Sequence, residues 1–108
     1  MFRKRRGIKL SYDEQGLVCF ICLNYKVMPF HIQALIHKVC QEVAGEYAEA
    51  LFAMLTDNTK NVHGVAQNFY TSESQLYLFR QKFYYEFYQA FIKSLEVFPV
   101  ITDTSKTV

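Results

Sequence analysis

The chain has 108 residues, enough for one domain around one hydrophobic core. Apolar residues make up 51% of it and charged residues 20%, which excludes an intrinsically disordered chain. The formal net charge of +2 is unevenly spread, because Arg3, Lys4, Arg5, Arg6 and Lys9 hold five of the twelve basic residues and the remaining seven face ten acidic ones, a net −3. Residues 1–10 therefore read as a basic arm, suited to phosphate or an acidic surface, with a solvated tail as the plain alternative. Aromatic residues reach 17%, with 10 Phe and 8 Tyr. A core this small does not readily hide so many rings, so some are expected at an interface.

The longest apolar run, Leu17 to Leu23, is far short of the roughly 20 residues that span a bilayer, so no membrane partner is expected. Three cysteines, Cys19, Cys22 and Cys40, without a secretory leader suit a reducing, cytoplasmic setting.

In chain order, Ser11-Tyr-Asp-Glu14 is a capping box and predicts a helix from Tyr12 to Lys26. Gly16 weakens that helix by about 1 kcal/mol relative to Ala, and a buried strand over Leu17–Leu23 is its rival. Pro29 suits the first turn of a second helix. Ile32, Leu35, Ile36, Val39, Cys40, Val43, Ala44, Tyr47, Leu51, Phe52 and Leu55 recur at three- and four-residue intervals, in phase across Gly45. They predict one long helix from Phe30 to Leu55, bent at Gly45, with two helices broken there as the alternative. Thr56–Thr59 is a loop with cap chemistry, and a short helix from Lys60 to Phe69 follows. Ser72 caps a last helix from Glu73 to Leu95, and residues 100–108 form a polar, mobile tail. The expected fold class is all-α, a single domain over residues 1–108 built as a bundle of four to five helices.

Residues 60–83 carry the pattern that points to a function. Ala66 is small where two helices must approach closely, and Val65, Phe69, Leu76 and Phe79 are apolar where such a pair must lock together. The spacing is that of a helix-turn-helix, whose second helix enters the DNA major groove. The pattern VAxxFxxSxxQLxxFRxxF resembles the helix-turn-helix of sigma-factor region 4 and of response-regulator output domains, and in style the small regulators of phages and mobile elements. The resemblance covers residues 62–83, about a quarter of the chain.

It implies a small DNA-binding transcriptional regulator that reads duplex DNA with the helix starting near Glu73. Ser72, Ser74, Gln75, Tyr77 and Gln81 would face the bases, with Arg80, Lys82, Lys9 and Arg3–Arg6 on phosphate. The alternative is two helices joined by a tight turn, in a helical protein-interaction or oligomerisation module that does not touch DNA.

Other chemistry has less support. Cys19-x-x-Cys22 sits inside an apolar run, and neither Cys40 nor His31, His37 and His63 completes a metal-ligand spacing, so no metal or cofactor is expected. No nucleophile motif lies beside the histidines, and no glycine-rich phosphate loop is present, so an enzyme is not expected. In the last helix, Leu76, Phe79, Phe83, Phe87 and Phe91 make a core stripe, while Tyr77, Tyr84, Tyr88 and Ile92 make a second one. The second stripe predicts a homodimer with Tyr84, Tyr88 and Ile92 at its interface, or else cover by the Phe30–Leu55 helix within one chain.

Overall fold

Ser11 opens the first helix as its pattern predicts. Its Oγ accepts from the Glu14 N–H at 3.1 Å, and the Glu14 carboxylate accepts from the Ser11 N–H at 2.8 Å. The helix, α1, runs Tyr12–Leu23 and is followed by a 3-10 turn over Tyr25–Val27. The structure, a computed structural model, describes residues 7–57 and 61–97. Arg3–Arg6, Lys60 and the tail 100–108 lie outside the described residues. Among those described, the fold is all-α, with no strand.

Helix α2 spans Phe30–Ala44. The single long helix expected through Leu55 is not formed. Gly45 takes φ +56° and ψ −120°, a conformation closed to most side chains, and a 3-10 turn over Gly45–Tyr47 leads into α3, Ala48–Thr56. The apolar stripe stays in phase because both halves face one core: Ile36, Val39 and Cys40 on α2, and Ala50, Leu51 and Leu55 on α3, are all buried.

Helix α4 covers Val62–Asn68, capped by the Asn61 side chain on the Gly64 N–H at 2.7 Å. Helix α5, Glu73–Val97, is the longest of the five. It packs across α2 and also touches α1, α3 and α4. Its Phe83 and Phe87 rings stack at 5.3 Å and are fully buried, with Leu76 beside them. Burial of side chains this large contributes about 2–3 kcal/mol each.

The segment before α1 belongs to the core rather than to a free arm. Ile8 and Leu10 are buried, and the fully buried Gln15 amide donates to the Leu10 carbonyl at 3.1 Å. Of residues 8–10 only Lys9 is exposed, so the basic arm expected over residues 1–10 does not extend over them.

Candidate nucleic-acid interface

Helices α4 and α5 are joined by four residues, 69–72. The Thr71 N–H donates to the Ala66 carbonyl at 3.0 Å and the Tyr70 N–H to Gln67 at 3.3 Å, the bond pair of a Schellman helix end. Such an end requires a left-handed residue, and Tyr70 supplies it at φ +56°, where glycine is usual. The Ser72 Oγ then accepts from the Gln75 N–H at 3.1 Å and caps α5. His63 Nδ1 lies 2.8 Å from a Glu73 carboxylate oxygen, tying the start of α4 to the start of α5. Val65, Ala66, Leu76 and Phe79 are buried and Phe69 half-buried, and α4 and α5 are in contact.

The residues expected to read DNA divide into three groups. Ser74, Gln75 and Lys82 are exposed on the outer face of α5, with Leu78 between them. Ser72 is exposed as well, but its hydroxyl already caps the helix. Tyr77 and Arg80 form a pair, with the guanidinium carbon 4.8 Å from the ring centre and Arg80 Nε buried. Arg80 follows Leu76 by one helical turn, so it lies toward the inner stripe rather than the outer face. Gln81 is half-buried and turned to the strap, its Nε2 3.0 Å from where a Cβ on Gly7 would sit.

This approach of Gly7 to Gln81 sets where the arm joins the fold. Gly7, at φ +79°, lets the strap lie against Gln81, and Gly7, Lys9, Gln81, Lys82, Tyr85 and Glu86 line a shallow cleft of about 350 Å³. Lys9 and Lys82 therefore share one surface. Sequence reasoning missed the strap, although the alternation of Ile8 and Leu10 around Lys9 was its signal.

The aromatic stripe assigned to a dimer interface needs correction. Tyr84 is only 3% exposed and is part of the core of the single chain. Tyr88 is half-buried and packs on that core, as a hydrogen bond joins it to Glu14 of α1. Burial first, then the Glu14 charge and this bond, push the Tyr88 hydroxyl pKa up. Ile92 is half-buried. Part of the cover of this stripe comes from within the chain, where Glu14 of α1 meets Tyr88, while Tyr77 stays exposed.

The cysteines behave as small hydrophobes. Cys22 and Cys40 are buried, and all three thiols are free. Burial pushes the Cys40 thiol up to about 12, and burial together with the neighbouring thiols pushes Cys22 up further. Among the described residues no group of three or more His, Cys, Asp or Glu side chains is placed to hold a metal ion, and no helix is long and apolar enough to cross a membrane.

No protein-family model, curated protein or solved structure matches this chain.

Proposed function

We propose that this chain binds duplex DNA with the first half of α5, as a helix-turn-helix regulator. The observation that carries the reading is the α4–turn–α5 unit. A short helix is clamped to the next one through Ala66 and Leu76, and the next begins at a capped end whose outer face offers Ser74, Gln75 and Lys82 to solvent. A recognition helix needs such a face at its N-terminal end. Gln75 suits adenine and Ser74 several partners. Lys82 and Lys9 suit phosphate and line one cleft together with Gly7. Arg80 and Gln81 are engaged within the fold, so Gln75 and Ser74 carry the reading of bases.

Selection from a pool of random duplexes, followed by titration of the enriched sequence, tests the proposal. Gln75→Ala should weaken the selected site by about 1–3 kcal/mol and leave binding to unrelated duplex unchanged. Removing Arg3–Arg6 should flatten the dependence of log Kd on log salt by about 0.9 for each phosphate that the arm no longer neutralises. A wild-type chain that enriches no sequence would sink the proposal.

A further inference from the structure

The unsatisfied apolar surface of this fold lies on α1. That helix is apolar nearly all round, a pattern found where a helix is covered on every side. Gln15, Val18, Ile21 and Cys22 face the core. On the far side Leu17, Phe20 and Leu23 stand in solvent, Phe20 at 60% exposure, and Val27 and Phe30 just beyond the helix reach 77% and 82%. This is the surplus of rings and aliphatic side chains that the composition implies, on a different helix from the one expected.

We propose that a second copy of this chain covers the surface, as a twofold dimer in which α1 packs antiparallel on α1 with Phe20 near the axis. The charges at the two ends of the stripe select this occupant. Asp13 is exposed one turn before Leu17 on the same face, and Lys26 is exposed just past the end of the helix. They lie seven and six positions from Phe20, on opposite sides of it. Turning a second copy about an axis at Phe20 brings the acidic first turn of each α1 toward the turn that carries Lys26 after the other. A parallel pair would set Asp13 against Asp13. The patch is thus complementary to itself, as a twofold interface must be. A 12-residue helix is about 18 Å long, so the interface falls short of the ~800 Å² per partner of a standard one, and the dimer should have a micromolar Kd. The dimer does not rest on the DNA-binding reading, and either can fail alone.

Light scattering on the full chain from about 1 to about 200 µM tests it. The mass should rise from the 12.7 kDa of one chain toward twice that value. Phe20→Glu should raise the dimer Kd by about 100-fold or more with far-UV circular dichroism unchanged, since most of the Phe20 surface faces solvent. Asp13→Lys and Lys26→Asp should each raise it about ten-fold, and the double variant should recover the wild-type Kd. A mass of one chain at the highest concentration overturns the dimer. Wild-type association that Phe20→Glu leaves unmoved overturns the surface. A double variant no better than the singles overturns the antiparallel arrangement. Monomeric wild type that co-sediments with lipid vesicles likewise overturns the dimer and gives the face to a membrane surface.

Discussion

Gly45→Ala separates two accounts of the middle of this chain by the sign of its effect. In a helix running unbroken from Phe30 to Leu55, Ala at position 45 would be better than Gly by about 0.8–1.0 kcal/mol, because Gly has more backbone freedom to lose. The structure instead holds Gly45 at φ +56° and ψ −120°. A Cβ built there meets nothing within 4 Å, so no clash contributes and the whole effect is conformational. Holding an L-residue in such a region costs about 1–3 kcal/mol, and the stiffer unfolded chain of the Ala variant offsets about 0.4–1 kcal/mol of that. The net expectation is a loss of about 1–2 kcal/mol. For a domain of this size each kcal/mol moves Tm by about 4 °C, so the melting point should fall by about 4–8 °C, with a matching drop in the urea midpoint and no change in its slope. A melting point raised by the substitution would refute the break at Gly45 and restore the single helix.

The remaining predictions concern the turn and the thiols. Tyr70→Gly should stabilise the fold by about 0.5–1 kcal/mol, since Tyr70 is left-handed and 92% exposed and its ring supports little; a lower urea midpoint would count against the turn described. Stability should fall at alkaline pH. With the ordinary thiol at 9.0, Cys40 pushed up to about 12 and Cys22 raised further, the unfolded chain loses protons first. The contribution is therefore full below pH 9.0 and is lost as pH rises above it toward the raised values of the folded chain. Urea midpoints under reducing conditions at about pH 8 and about pH 10 measure it, and replacing both cysteines by Ala should flatten the difference.

What could be read from the sequence is what local chemistry decides. The Ser11–Glu14 capping box, the Ser72 cap and the Phe stripe of α5 each follow from neighbours within two helical turns. Helix rather than strand over Leu17–Leu23 was within reach for the same reason. The break at Gly45 was not, because α2 and α3 face one core and the stripe runs through the turn unaltered. Tyr84 was misplaced because helical phase does not record which faces the other helices cover, just as it does not record the contact of Tyr88 with Glu14, 74 positions away. At the candidate site, helical phase alone could have moved Arg80 inward, since it follows Leu76 by four and precedes Tyr84 by four and Phe87 by seven, all three of them buried.

The strap changes what the basic arm can do. An arm free from residue 10 would sweep its charges over much of the molecule. Anchored by Ile8, Leu10 and the Gln15–Leu10 hydrogen bond, the chain is fixed at Gly7 against Gln81. The stretch of α5 from Ser74 to Gln81 is about 10 Å long. Lys9 on the strap and Lys82 on α5 thereby share one surface at the end of that stretch. That surface also carries Glu86, which lines the same cleft, while Glu42, Glu46 and Glu49 sit on α2, the turn after it and α3. Binding strength at this face should accordingly follow the charge of the arm and the strap, and not the charge of the whole protein.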